Sequence, residues 1–123
     1  MNSYICIAVT AFIPLLCAGY AKLSRKGYDN HSPREFLAKT EGKGKRADFA
    51  QQNSYEAFPP FAVGVLAAHQ MGAPVDTINV LATIFLTMRF IYCVCYIQDW
   101  HVMRSIVWFI GFGITITLYF IGL

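Results

Sequence analysis

A run of polar and ionisable side chains enters a long apolar stretch between Arg46 and Pro60. If this stretch is helical, five of its residues recur every three or four positions and share one face: Arg46, Phe49, Asn53, Glu56 and Pro60. Glu56 is the costly member, because an ionised carboxylate in apolar surroundings needs a partner. Pro59 and Pro60 cannot donate to the carbonyls of Tyr55 and Glu56, so a bend is expected at the level of the carboxylate.

Two further groups of candidate residues follow downstream. Arg89, Tyr92 and Tyr96 are three and four residues apart, so they share one face of a helix. Arg104 and Ser105 stand at the start of the last apolar segment. The depth expected for Arg89 makes an ion pair with Glu56 geometrically possible. For Arg104, the alternative to a role in a site is that its side chain reaches lipid phosphates.

Composition indicates which elements must position these residues. The chain has 123 residues, of which 56% are hydrophobic and 14% are charged, too apolar a balance for a soluble domain of this size. Four segments nearly free of charge approach or exceed the roughly 20 residues that cross a bilayer: Ser3 to Ala21, Phe49 to Val75, Thr77 to Gln98 and Ser105 to Leu123. The first has no basic residues before it and is interpreted as a retained helix rather than a secretory signal.

The sequence therefore predicts an all-α integral membrane protein, an up-down bundle of four transmembrane helices that forms a single domain over residues 1–123. The predicted helices cover approximately residues 3–22, 46–71, 75–98 and 103–122. Ser32 and Pro33 predict the cap and first turn of a short helix within the first loop. Asp76 is expected to cap the third long helix.

Basic residues are concentrated in and beside the loop formed by residues 23–45. Eight of the ten lysines and arginines lie there: Lys22, Arg25, Lys26, Arg34, Lys39, Lys43, Lys45 and Arg46. The positive-inside rule therefore predicts that this loop is cytoplasmic and that both termini are non-cytoplasmic. Its basicity has two interpretations: topology with attraction to anionic lipid headgroups, or binding of an anionic ligand by some of Lys22, Arg25 and Lys26.

Cysteines and histidines do not suggest a metal site. Cys6, Cys17, Cys93 and Cys95 all lie within predicted spans, and Cys93 and Cys95 point about 200° apart around a helix. They are interpreted as small apolar packing residues. The three histidines lack ligand spacing. We therefore expect no metal, and neither composition nor motif suggests a nucleic-acid partner.

The order of the motifs resembles the MAPEG family, membrane-associated proteins in eicosanoid and glutathione metabolism, and in particular its bacterial-type members. The resemblance covers nearly the whole chain and is carried by Arg46-Ala47, by Asn53-x-x-Glu56 followed by proline, by Arg89-x-x-Tyr92-x-x-x-Tyr96 and by Arg104-Ser105. It implies a homotrimer of four-helix subunits that binds glutathione between neighbours near the cytoplasmic side. Membrane lipid and a hydrophobic small molecule are the other expected partners.

The resemblance also implies roles for individual residues. Asn53 and Glu56 would hold the peptide part of glutathione, with Tyr92 and Tyr96 lining the same site. Arg104, beside Ser105, would be the catalytic residue that stabilises the thiolate, since a thiol with a pKa of ~8.5 is mostly protonated at neutral pH. The predicted cofactor-binding set is Asn53, Glu56, Tyr92, Tyr96, Arg46, Arg89 and Ser105.

Two positions depart from the family pattern. Family members usually have arginine where Phe49 stands, and several have it where Gln52 stands. A charge-assisted hydrogen bond is worth about 1.5–3 kcal/mol, so the loss of one would weaken glutathione binding about tenfold or more. Lys22, Arg25 or Lys26 could compensate.

Three functional hypotheses follow. The first is a glutathione-dependent membrane transferase or peroxidase acting on a hydrophobic electrophile. The second is a MAPEG scaffold without glutathione chemistry, which binds another anionic or lipidic ligand or is structural. The third is a small four-helix transporter, but such proteins carry their essential carboxylate in the first helix, and Ser3 to Ala21 has none.

Overall fold

A computed structural model describes all 123 residues and contains five helices and no strand. The helices are α1 (Ser3–Leu23), α2 (Pro33–Ala38), α3 (Gly42–Gln70), α4 (Val75–Ile97) and α5 (His101–Phe120). Short connections join α3 to α4 and α4 to α5, so consecutive long helices run in opposite directions. The end of the bundle that carries α2 and the 24–41 connection, called the loop end below, gathers the C-termini of α1 and α4 and the N-termini of α3 and α5.

Helices α3 and α4 form the centre of the bundle. Each packs against all three other long helices, whereas α1 and α5 do not pack against each other. In the centre, the buried rings of Phe61 and Phe85 stack with their centroids 3.9 Å apart and their planes 8° from parallel. Gly64 lets α5 approach α3, because a Cβ there would lie 3.2 Å from the Tyr119 ring and 3.3 Å from Leu118. This packing fixes the positions of the α3 residues that face α4 and α5.

The helix boundaries differ from expectation at three places. Helix α3 begins at Gly42 rather than near Arg46. Ser32 makes no capping hydrogen bond through its side chain, although Pro33 is the first residue of α2 as expected. Asp76 lies within the first turn of α4 and Pro74 is the capping residue, so the carboxylate favours the helix dipole without capping it.

Helix α3 stays helical through Pro59 and Pro60. These prolines cannot donate to the carbonyls one turn before them. The Tyr119 hydroxyl donates to the Pro60 carbonyl oxygen at 2.9 Å, which ties α5 to α3 beside the prolines. The polar N-terminal half of α3 is thus continuous with its apolar C-terminal half.

Three helices are long and apolar enough to cross a membrane by length and composition: α1, α4 and α5. Large apolar side chains are exposed on their outer faces, including Phe12 at 61%, Phe109 at 68% and Phe120 at 63%. Such surface requires an apolar environment. The all-helical architecture is therefore confirmed, and its three long apolar helices support an integral membrane protein. Helix α3 falls outside this class because its first half is polar.

Candidate functional site

Two adjoining cavities lie between α3, α4 and α5. The first, here the polar cavity, has a volume of about 180 Å³ and is lined by Asn53, Tyr92, Arg104, Ser105, Trp108 and Phe109. The second, here the aromatic cavity, has a volume of about 150 Å³ and is lined by Asn53, Glu56, Ala57, Pro60, Phe85, Arg89, Trp108, Gly111, Phe112 and Thr115. Asn53 and Trp108 line both. The polar cavity is the one nearer the loop end, because Arg104 and Ser105 belong to the first turn of α5.

Arg104 is half-buried, and its guanidinium carbon lies 4.3 Å from the centroid of the Tyr96 ring. The stacking fixes the position of the charge without neutralising it, at a gain of about 0.5–2 kcal/mol. The single ion pair in the chain joins His31 to Asp29 in the first loop. Arg104 therefore has no acidic partner and can attract an anion into the polar cavity.

Two aromatic rings continue from Arg104 into the bundle and end at a second arginine. Tyr96 meets Tyr92 edge-on with the centroids 5.8 Å apart. The guanidinium carbon of Arg89 lies 4.2 Å from the Tyr92 ring centroid. Tyr92 and Tyr96 thus connect the two arginines, and Tyr92 also lines the polar cavity.

Arg89 is 4% exposed and is held by neutral groups. Its Nη2 donates to Asn53 Oδ1 at 2.9 Å and to Ser54 Oγ at 3.2 Å. The ion pair expected between Arg89 and Glu56 does not form. The reason is that Asn53 and Ser54 present acceptors to the buried guanidinium, whereas Glu56 is exposed at the margin of the aromatic cavity.

The residues predicted to share one face of α3 lie in two places in the structure, some at the cavities and some at the loop end. Asn53, Glu56 and Pro60 line the aromatic cavity. Arg46 lies elsewhere, because its Nε donates to the carbonyl of Ile97 at 2.9 Å. It thereby satisfies an unpaired carbonyl at the C-terminus of α4. Phe49 lines neither cavity, and its ring centroid is 6.3 Å from that of Tyr96.

Two of the three basic residues that could replace the missing arginines, Lys22 and Arg25, lie over aromatic rings at the loop end, as does the nearby Lys45. Lys45 lies 5.3 Å from the Phe49 ring centroid, Lys22 lies 5.0 Å from that of Tyr28, and Arg25 lies 4.0 Å from that of Phe36. Gln52 donates to Asp48 at 3.2 Å. None of these side chains lines the polar or the aromatic cavity.

Sequence reasoning identified Arg104 and Ser105 on α5 but missed the other residues of this helix that form the far wall of the site. Arg104, Trp108, Gly111 and Thr115 follow one another at spacings of four, three and four, which is the signature of one helix face. This spacing was available from the sequence. Trp108 is indistinguishable in sequence from a packing residue on an apolar helix, and a glycine such as Gly111 has the same signature when it only allows close helix approach.

The four cysteines are free and buried. Cys93 lies beside the site, with its sulfur 3.6 Å from the hydroxyl oxygen of Ser54, the same hydroxyl that binds Arg89. No group of three or more histidine, cysteine, aspartate or glutamate side chains is arranged to hold a metal ion.

Comparison with known proteins gives one match. The model of the MAPEG family matches residues 3–123, essentially the whole chain. Neither the curated proteins nor the solved structures contain a match to this sequence.

Proposed function

The chain belongs to the MAPEG family, and on this premise we propose that it is a glutathione-dependent membrane transferase or peroxidase acting on a hydrophobic electrophile. The observation that carries the proposal is the convergence of Asn53, Tyr92, Arg104 and Ser105 on a polar cavity that shares a wall with an aromatic one. A peptide thiol and an apolar electrophile require such neighbouring environments if they are to react.

The residues at the polar cavity, together with Glu56 at the margin of the aromatic cavity, fit glutathione at its thiol and amino ends. Arg104 has no acidic partner and suits a thiolate, while Glu56 has no cationic partner and suits an amino group. Asn53 accepts from Arg89 through Oδ1, which leaves its amide N–H groups for a peptide carbonyl. The fit to the two carboxylates of glutathione is poorer, because Phe49 and Gln52 carry no charge.

Glutathione, when bound, would supply a sulfur nucleophile for transfer. For the reduction of a peroxide, two glutathione molecules would supply the two electrons and leave as the disulfide. Arg104 favours the thiolate over the thiol by charge, and Tyr96 keeps the guanidinium in place. The aromatic cavity would hold the electrophile next to Asn53 and Trp108.

We also propose that α3 crosses the membrane with the three apolar helices, which gives four transmembrane helices. Helix α3 packs against all three of them, and its 29 residues reach roughly 44 Å, longer than the ~30 Å hydrocarbon core. Its polar first half then lies at the cytoplasmic headgroup level with the basic 24–41 connection. Both termini lie on the opposite side.

A homotrimer is the assembly that we propose from family membership. Glu56 and the outer faces of α1 and α5 are exposed in a single chain and offer surface for neighbouring subunits. In a trimer, Lys22, Arg25 or Lys26 of a neighbouring subunit is the proposed source of the cations that Phe49 and Gln52 do not provide. Crosslinking of the detergent-solubilised protein tests this, and a monomer would contradict it.

Conjugation of glutathione to an activated aromatic halide by the purified protein in detergent tests the function. We expect turnover that Arg104→Ala reduces strongly. Activity that the substitution leaves unchanged would refute the mechanism.

A second candidate function is favoured by Phe49 and Gln52: a MAPEG scaffold without glutathione chemistry that binds another anionic or lipidic ligand. Arg89 and Arg104, both without acidic partners, would attract such an anion. Calorimetry separates the two candidates, because sub-millimolar glutathione binding would exclude the second. The transporter hypothesis gains nothing from α1, which contains no carboxylate.

A further inference from the structure

The walls of the aromatic cavity include flat rings whose orientation is fixed by stacking. Phe85 is stacked on Phe61 in the bundle centre, with the centroids 3.9 Å apart. Trp108 is stacked on Phe112 with the centroids 5.2 Å apart and the planes 6° from parallel. Because these four rings are held by one another, the cavity presents rigid aromatic surfaces, which favour a planar guest.

The volume of the cavity limits the size of that guest. At about 150 Å³, it is close to the size of an engineered apolar cavity in another protein that holds benzene. A single six-membered ring therefore fits inside this partly open cavity, whereas part of a fused ring system would extend beyond it.

One end of the cavity offers hydrogen-bond donors. Both hydrogen bonds of Arg89 use Nη2, although a guanidinium carries five N–H groups. No fully buried side-chain nitrogen or oxygen lacks a partner, so the remaining N–H groups of Arg89 reach accessible space. Arg89 lines the aromatic cavity and has no acidic partner. A guest with an oxygen acceptor on its ring would satisfy these donors.

Gly111 keeps the cavity open on the α5 side. A Cβ added there would lie 3.7 Å from Cδ2 and Cε2 of Phe85, an ordinary van der Waals distance. Alanine is therefore accommodated without strain, but its methyl group occupies space against the Phe85 ring. Gly113, two residues further on, is exposed and has nothing within 4 Å of an added Cβ, so it offers a matched control.

We propose that the aromatic cavity is the site of the hydrophobic substrate, that this substrate presents a single aromatic ring bearing a carbonyl-type oxygen, and that Gly111 sets the size limit. The ring lies against Phe85 and Trp108, and the oxygen accepts a hydrogen bond from Arg89. The identification of this guest as a substrate rests on the proposed function. Its binding does not require glutathione.

The test is a fluorine NMR titration of the purified full-length protein in detergent, without glutathione. The probe is 4-fluoroacetophenone. Fluorobenzene serves as the analogue without an acceptor, and a fluorinated acetylnaphthalene as the larger one. We expect saturable binding of the probe, at least tenfold weaker binding of both analogues, and at least tenfold weaker binding of the probe to Gly111→Ala, with Gly113→Ala unchanged.

Absence of saturable binding would overturn the proposal, as would a Gly111→Ala protein that binds the probe like the unaltered chain. Because the two analogues are compared on the unaltered protein, the size and acceptor requirements are tested even if a variant folds poorly. Gly111-dependent binding without glutathione conjugation would refute the proposed function alone. Arg104-dependent conjugation without probe binding would refute the cavity assignment alone.

Discussion

Arg89 and Glu56 line the same cavity, yet the guanidinium binds Asn53 and Ser54 and leaves the carboxylate without a partner. A buried cation is therefore stabilised by an amide oxygen, a hydroxyl and the Tyr92 ring. This arrangement keeps a positive charge at the wall of an apolar cavity. The loss of any of these neutral acceptors leaves a buried charge less well solvated.

The first prediction compares the two neighbours of this arginine on α3. Asn53→Ala is expected to lower the free energy of unfolding by about 1–3 kcal/mol, because it removes an acceptor from a buried charged donor. Glu56→Gln is expected to change it by less than about 0.5 kcal/mol, because the carboxylate is exposed and unpaired. Thermal unfolding in one detergent measures both. Equal destabilisation by the two substitutions would show that Glu56 has a structural partner.

Helical periodicity explains how much of this site the sequence could predict. The spacing of Asn53 and Glu56 places them on one face, and both line the aromatic cavity. The same spacing wrongly predicted that Arg46 lies at this site. Its side chain instead donates a hydrogen bond to the carbonyl of Ile97 at the C-terminus of α4. Periodicity assigns a face, but the partner on that face depends on packing between helices. The ligand-binding roles of these residues remain predictions.

The all-helical membrane architecture followed from composition, since long uncharged segments leave few alternatives. The partner of Arg89 could not be predicted in this way. An unpaired arginine and an unpaired glutamate at similar depth suggested an ion pair, but Asn53 and Ser54 provide nearer acceptors. Trp108 was missed for a different reason: an aromatic side chain on an apolar helix has the same sequence signature whether it packs or lines a cavity.

The second prediction concerns Arg104 as the catalytic residue. Arg104→Ala is expected to lower kcat/KM for glutathione conjugation by about 100-fold or more, since it removes a charge that stabilises the reacting anion. Arg104→Lys keeps the charge and should retain part of the activity. Arg34→Ala removes an equal charge from the exposed first loop and serves as the control. A similar loss in Arg34→Ala would attribute the effect to overall charge.

The third prediction tests whether Tyr96 positions Arg104. The guanidinium carbon lies 4.3 Å from the ring centroid, and the interaction is worth about 0.5–2 kcal/mol. Tyr96→Leu removes the ring and should lower kcat about 2- to 30-fold, whereas Tyr96→Phe keeps the ring and should leave kcat nearly unchanged. Steady-state kinetics with varied glutathione separates kcat from KM. If phenylalanine impairs turnover as strongly as leucine, the hydroxyl rather than the ring is required.

The fourth prediction concerns Phe49, an uncharged residue at a position where family members usually have arginine. Phe49 is 39% exposed and lines neither cavity, so a longer cationic side chain there need not displace the core. Phe49→Arg places a guanidinium where family members usually carry one and should strengthen glutathione binding about tenfold, by the value of one charge-assisted hydrogen bond. Phe49→Gln removes the ring without adding charge and is the matched control. Titration calorimetry in detergent measures the dissociation constant.

The nearby Lys45 reduces the expected gain, because its ammonium lies 5.3 Å from the Phe49 ring centroid and would repel a new cation. Lys45→Gln combined with Phe49→Arg removes that repulsion and should bind glutathione at least as tightly as Phe49→Arg alone. If neither Phe49→Arg nor this double variant binds more tightly than Phe49→Gln, position 49 does not face the ligand. Any glutathione held from α3 would then be held by Asn53 and Glu56, without a contact at position 49.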